Sequence, residues 1–349
     1  MATDKKYELK NMTLEDMKGF FVAMGEKSFR GTQVYCWLYG EGEAVQDFDE
    51  MTNLPLSLRS RLAECALLYS LTQVDVRESA IDSTRKFLFV TEDGNLIESV
   101  FMKYDYGNTI CVSSQAGCKM ACSFCASGAS GFARNLSAAE MVDQLVLAQR
   151  YVGERISHVV VMGTGEPLDN FDELLRFVRI LGEPEGLHMS RRNITVSTCG
   201  LIPGIRRLAG ELPQVGLAVS LHGADDELRS SLMPINDTYR IAQLLDAVRG
   251  HIANTGRRAT FEYALIKGVN DGKDCAGRLA DRLKGMNCHV NLISLNSVEG
   301  SEFSGSKWQD AELFRKILEA AGIQATIRRS LGKDIQGACG QLRLNNDRF

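Results

Sequence analysis

Up to about residue 70 the apolar positions of this chain fall at helical spacing. Thr13 with Asp16 three residues on makes a capping-box pattern ahead of Met17, Phe20, Phe21 and Met24. A second helix is expected over 31–39, and a third after Pro55, carrying Leu58, Leu62 and Leu67. Three strand-like runs follow, 71–77, 86–91 and 96–102, with Asp93-Gly94 marking a hairpin between the last two. From residue 109 strands and helices alternate. The strands are expected over 109–113, 158–162, 193–197, 216–220, 260–265, 289–293 and 324–328. One helix begins at Ser137, with Glu140 completing a capping box, and others cover 171–180, 239–254, 273–284 and 307–321. Such alternation predicts an α/β fold whose parallel sheet is open or curled into a full or partial (β/α) barrel. Chemistry in such folds sits at the carboxyl ends of the strands. The expected division is an accessory domain over 1–103, helical and ending in a small antiparallel sheet, a core over 104–334 and a tail over 335–349.

With 349 residues, 44% of them hydrophobic, the chain can bury a sizeable core. Its apolar runs are strand-sized, too short to span a bilayer, and the start lacks an apolar signal region. A reducing cytoplasm is the expected location. There, 10 cysteines read as ligands, catalytic groups or core residues rather than a disulfide framework. The net charge of −4 argues against non-specific coating of nucleic acid. Arginine doublets at Arg191–Arg192, Arg206–Arg207, Arg257–Arg258 and Arg328–Arg329 read singly as solvated element ends, and together keep an RNA-binding face open.

Cys118, Cys122 and Cys125 stand at spacings of four and three, in a loop just after the first core strand. A structural zinc site usually takes four protein ligands, and an electron-carrying 4Fe–4S cluster takes a fourth cysteine. No Cys or His occurs within 25 residues downstream of Cys125. Three thiolates on a four-iron cluster leave one iron open to substrate. The spacing, with Phe124 before the last cysteine, resembles the radical S-adenosylmethionine (SAM) signature. In that superfamily the open iron chelates SAM, and reductive cleavage yields a 5′-deoxyadenosyl radical.

Met162-Gly163-Thr164-Gly165-Glu166-Pro167 follows the second core strand and resembles the superfamily's glycine-rich motif for the methionine amino group. Ser197, Ser220-Leu221-His222 and Asn296 fall at further strand ends around the same mouth. Taken singly, each is a capping or loop polar group. By the same standard Cys111 is a buried core thiol and Glu98 an exposed strand carboxylate. Cys36, Cys65, Cys199, Cys275 and Cys288, scattered without metal spacing, are expected in the core.

Read in order, Glu98, Cys111-Val-Ser-Ser-Gln-Ala-Gly-Cys118, the triplet, Arg134-Asn135-Leu136, Gly165-Glu166-Pro167-Leu168, Ser220-Leu221-His222, Met233-Pro234-Ile235-Asn236, Gly268-Val269-Asn270-Asp271 and Ala338-Cys339-Gly340-Gln341-Leu342 span nearly the whole chain. The series resembles the bacterial radical-SAM RNA methyl synthases. That resemblance implies a radical-SAM partial barrel and methylation of adenine C2 in 23S rRNA and tRNA. It implies that Cys118, Cys122 and Cys125 hold a 4Fe–4S cluster with one open iron. Gly165, Glu166, Ser197, Ser220, Leu221, His222 and Asn296 would contact SAM. Cys339 would take a methyl group from a first SAM, a second SAM would supply the radical, and the activated carbon would add to the base. Glu98 would accept the C2 proton, and Cys111 would resolve the protein–RNA adduct, leaving a Cys111–Cys339 disulfide. A flavodoxin- or ferredoxin-like electron donor, a monomeric state and no membrane partner complete the expectation. Thr164 stands where some relatives have methionine, a departure that bears on cofactor fit.

Two other readings fit the same residues. Adenine-C8 methylation of 23S rRNA, the antibiotic-resistance type, needs the same cysteines and differs in how the base is posed. A non-enzymatic iron–sulfur or zinc protein that only binds RNA would cleave no SAM and would be indifferent to loss of Cys339.

Overall fold

The computed structural model describes residues 6–40, 45–129, 131–296, 302–338 and 340–342. Its first helix, α1 (Leu14–Ala23), starts at the expected capping box, in which Asp16 N–H donates to Thr13 Oγ1 and Thr13 N–H to the Asp16 carboxylate. Helices α2 (Phe29–Tyr39) and α3 (Leu56–Cys65) follow. Leu67, expected in the third helix, instead lies in β2 (Ala66–Leu67), which pairs in parallel with β1 (Tyr7–Glu8). Two residues of pairing stop the helix at Cys65 and return the chain toward its start.

Strands β3 (Leu71–Glu78), β4 (Arg85–Thr91) and β5 (Leu96–Tyr104) form the expected antiparallel run. Between β4 and β5 the chain turns through Gly94 at φ +81°, which glycine adopts without strain. These strands are continuous with the core. β5 pairs antiparallel with β6 (Gly107–Cys111), and β6 pairs in parallel with β9 (His158–Val161). The parallel series continues through β10 (Ile194–Thr198), β11 (Gly216–Ser220), β12 (Ala259–Leu265), β13 (Cys288–Ser294) and β14 (Gln324–Ile327). One ten-stranded sheet therefore runs from β14 to β3, seven parallel strands followed by three antiparallel ones. A short hairpin of β7 (Gln115–Gly117) and β8 (Phe132–Asn135) brackets the cysteine loop.

The crossover helices bury the faces their patterns dictate. In α6 (Phe171–Leu181), Phe171, Leu174, Phe177, Val178 and Leu181 lie inside, the i, i+3, i+4 stripe of a core-facing helix. Each such large apolar side chain contributes about 1.5–3 kcal/mol by leaving water. Helix α5 (Ala138–Val152) opens on the Ser137–Glu140 capping box and ends at Gly153 in the left-handed region. Midway along α5, the buried Asp143 accepts from Lys10 Nζ at 2.8 Å and from the amides of Ser70 and Leu71. That carboxylate joins the N-terminal segment to the sheet. Helices α7 (Ile202–Glu211) and α8 (Asp226–Leu232) were not anticipated, being short and interrupted by polar residues. Cys199, Cys275 and Cys288 are buried as expected; Cys65 is half-buried and Cys36 is exposed, with its sulfur toward Glu185 O.

Candidate active site

Between β7 and β8 the loop carrying Cys118, Cys122 and Cys125 is closed at its base. Cys118 N–H donates to Gly131 O at 2.7 Å, and a Cβ on Gly117 would lie 2.0 Å from that oxygen. Farther along, Ser123 N–H donates to Leu232 O, and the short helix α4 (Ala126–Ala129) begins directly after Cys125. All three cysteines line one cavity. Burial pushes the Cys118 thiol up to about 11 and the Cys122 thiol up to about 12. Those thiols are protonated at neutral pH, and binding iron must displace their protons. Cys122 also lies within electrostatic reach of Cys118 and Cys125. The three half-buried thiols come from one loop and line one cavity, and thiolates are the donor set that iron–sulfur clusters take.

The glycine-rich loop is fastened to the segment leading into the cysteines. Thr164 O accepts from the amides of Ser114 and Gln115, Thr164 N–H donates to Ser113 Oγ at 2.9 Å, and Glu166 N–H donates to Gln115 Oε1 at 2.8 Å. Gly165 has φ +106°, and a Cβ there would meet the Gln115 side chain at 2.6 Å. A Cβ on Gly163 would meet Ser113 Oγ at the same distance. Glycine is required at both places by contact, and at Gly165 also by dihedral.

Both oxygens of Glu166 are engaged: Oε1 accepts from Leu168 N–H and Oε2 from Cys199 N–H at 2.7 Å. Burial nevertheless pushes its carboxyl up. This side chain, expected to take an ammonium, also staples β9 to the end of β10. Ser197, Ser220, His222 and Asn296 line the same cavity, as expected. His222 has φ +55°, its Nδ1 accepts from Ala264 N–H at 2.9 Å, and its ring packs edge-on against Phe124. Burial, and then Arg229, push it down to about 3, so the ring is neutral and its Nε2 carries the hydrogen. Leu221 is not among the lining residues; its side chain is in the core and its backbone bonds Glu262 O and Arg229.

A second cavity adjoins the first, sharing Cys125, Ser127, Met162, Gly163, Asn296, Arg328 and Gly340 as walls. Cys111 lines it, with Val100 opposite in register on β5 and Val160 on β9. Gly337, Ala338, Gly340 and Leu342 of the tail close it. Ala126 N–H donates to Gly340 O and Ser127 Oγ to Leu342 O, both at 3.0 Å, while Leu342 packs on Val100 and Cys111. Cys339 lies outside the described residues, flanked by tail positions that wall this cavity. Glu98 is buried, not exposed, and pairs with Lys86 at 2.8 Å. It precedes Val100 by two residues on the same strand face, and Lys86 Nζ also donates to Gln336 O.

Several residues on these walls carried no sequence signal of their role. Ser127 lies 3.3 Å from Thr164, joining the cysteine loop, glycine-rich loop and tail. Arg229 is fully buried beneath the cavity and donates to Leu221 O, Ser220 O, Cys199 O and Asn236 Oδ1. Glu262 is a lone acid in an apolar strand, an anomaly visible in the sequence itself. Of the arginine doublets, Arg328–Arg329 lines the second cavity, whereas Arg207 is paired with Asp172 and Glu211.

Comparison with known proteins bears on the family. Residues 7–68 match the family described as ribosomal RNA large subunit methyltransferase N-terminal domain, and residues 112–274 match the radical SAM superfamily. The chain is 50% identical over 337 residues to the probable dual-specificity RNA methyltransferase RlmN of Thermoanaerobacter sp. (strain X514), covering 97% of this chain and 98% of that one. It is 46% identical to the protein of the same description from Lachnospira eligens, covering 96% and 95%. A crystal structure of a radical SAM methyltransferase from Sphaerobacter thermophilus superposes with a TM-score of 0.94 at 46% identity, over 97% of this chain and 99% of that one. Similarity of this degree, over nearly the full length of both partners, places the chain in the RlmN family of dual-specificity RNA methyltransferases, within the radical SAM superfamily.

Proposed function

We propose that this protein is a radical SAM enzyme that methylates C2 of an adenine in 23S rRNA and in tRNA. Family membership supports the activity. The observation that carries the site is the meeting of two cavities, one walled by the cysteine triplet and the other by Cys111 and the tail. Cys118, Cys122 and Cys125 hold the cluster. Gly165, Glu166, Ser197, Ser220, His222 and Asn296 bind and orient SAM, while Leu221 fixes the strand end between Ser220 and His222 through its bonds to Glu262 O and Arg229. When bound, cluster and SAM supply an electrophilic methyl group and, on reduction, a hydrogen-abstracting radical.

The chain's own groups do the rest. The Cys339 thiolate is a far better nucleophile toward a methyl sulfonium than an electron-poor adenine carbon, so it takes the methyl group first. Val100, Met102, Val160 and Met162 give the second cavity an apolar wall that excludes water from the base. Once the activated Cys339 carbon has bonded to C2, Glu98 accepts the C2 proton as one electron leaves the base, with Lys86 holding the carboxylate in place. The Cys111 thiolate then attacks the Cys339 sulfur and breaks its bond to carbon; that carbon takes a proton as the methylated base leaves, and cellular thiols reduce the Cys111–Cys339 disulfide. Two SAM are consumed per turnover. A flavodoxin or ferredoxin supplies electrons, and the enzyme works as a cytoplasmic monomer. We also assign residues 1–103 to RNA contact, its last strands adding Lys86, Glu98, Val100 and Met102 to the catalytic wall, 104–334 to the catalytic core and 335–349 to the carrier tail. The family does not favour the C8 reading.

The test is anaerobic reconstitution with iron and sulfide, then mass mapping of Cys339 and of a 23S rRNA fragment. A methylthioether on Cys339 and 2-methyladenine in the RNA are expected, and Cys339→Ala should lose both. Protein that binds zinc without acid-labile sulfur, or RNA methylated only at C8, overturns the proposal.

A further inference from the structure

Glu262 lies in the middle of β12 and is 5% exposed, yet it lines the larger cavity. Its Oε1 accepts from Asn291 Nδ2 at 2.8 Å. Its Oε2 is buried and has no hydrogen-bond partner among the described residues. A buried carboxylate oxygen left unsatisfied is strongly unfavourable, and native structures keep such groups where something else completes them. Register places Glu262 beside Ser220 on β11 and Asn291 on β13, so the three share one face of the sheet, and Ser220 lines the cavity too. Burial pushes the Glu262 carboxyl up, while Arg328 and the Asn291 bond pull it down, so a cationic ligand would favour its ionised form.

The missing partner must be a donor. SAM offers its ammonium, its ribose hydroxyls and the exocyclic amine of its adenine. The glycine-rich loop assigned to the ammonium follows β9, three strands from β12, which at the usual strand spacing is about 14 Å away. Beyond Glu262 the cavity wall becomes apolar, formed by Ala264, Leu295 and Met233, and suits the flat face of a base. Glu262 stands between the polar end and the apolar end, where the sugar must lie. Resting on the SAM-dependent reading above, we infer that Glu262 Oε2 accepts a hydrogen bond from a ribose hydroxyl of SAM and thereby sets the orientation of the sugar.

The test is a binding cycle on anaerobically reconstituted full-length protein, with SAM, 2′-deoxy-SAM and 3′-deoxy-SAM as probes and equilibrium dialysis as the readout. Wild type is expected to bind one deoxy analogue roughly 10- to 100-fold more weakly than SAM, the worth of a hydrogen bond to a charged group. Glu262→Ala is expected to bind SAM more weakly by a similar factor and to lose nothing further on removal of the hydroxyl. Should the alanine variant fail to fold, Glu262→Gln keeps the shape and is expected to shrink the discrimination several-fold. Equal affinity of wild type for all three probes overturns the inference, as does full discrimination retained in either variant. Wild type that binds no SAM refutes the enzymatic reading itself, an outcome distinct from both.

Discussion

Replacing Arg229 with methionine should unfasten the floor of the cofactor cavity. The guanidinium is fully buried and holds Leu221 O at 3.1 Å, Ser220 O at 3.3 Å, Asn236 Oδ1 at 3.0 Å and Cys199 O. Three of these acceptors belong to the ends of β10 and β11, and burial pulls the arginine's pKa down, so the charge is held at a cost that its partners offset. Methionine fills comparable space but leaves four acceptors without their donor. Loss of one partner of a buried charged network costs about 3–5 kcal/mol. For a chain of 349 residues that is a fall in melting temperature of roughly 4–7 °C. Thermal unfolding of the metal-free protein reads the stability, and equilibrium dialysis of the reconstituted protein reads SAM affinity, which should weaken at least about tenfold. Lysine at 229 keeps the charge but offers one donor centre to four separated acceptors, so it should recover less than half of the loss. A methionine variant melting within about 2 °C of wild type would refute the account.

Gly165→Ala meets both a positive φ and the Gln115 side chain at 2.6 Å, so it should abolish SAM binding while far-ultraviolet circular dichroism stays unchanged; retained binding would show that the loop yields. Lys86→Met removes the ion-pair partner of the buried Glu98 carboxylate and should cost about 3 kcal/mol in urea unfolding, whereas Lys86→Met with Glu98→Leu should recover most of it. His251 is buried with neither ring nitrogen bonded among the described residues, and burial, then Arg257, push it down to about 4. A base whose folded pKa is depressed leaves the unfolded chain holding more protons below about pH 6.5, so stability is full above that pH and falls toward pH 4. The slope from this one group is at most about 1.4 kcal/mol per pH unit. Urea titrations of wild type and His251→Leu across pH 4–7 should show a shallower dependence in the variant, and parallel curves would sink the assignment.

Much of this was legible because the chemistry is local in the chain. The cysteine triplet and the glycine-rich string are short motifs, and β11 begins and ends where its pattern predicted. The capping boxes at Thr13 and Ser137 fixed two helix starts for the same reason. What escaped was non-local. Glu98 looks like a surface carboxylate until Lys86, on the neighbouring strand, is placed against it. Glu166 appears dedicated to ligand until the Cys199 amide arrives from the next strand to claim one oxygen. Arg229 sits in a short polar helix with no periodicity to mark it, and its burial follows from carbonyls contributed by two loops. Cys36 departs from the usual burial of cysteine because the helix carrying it turns that position outward.

The unbroken pairing of β5 with β6 has a practical bearing on dissecting the molecule. Val100 faces Cys111 across that seam, so residues on either side of position 103 build one wall together. A fragment begun at 104 would strip the hydrogen-bonding neighbour from β6 and present the raw flank of a long parallel sheet to other chains. It would be expected to clump rather than to behave as a free-standing catalyst, and a shortened version is better cut ahead of β3 than after β5.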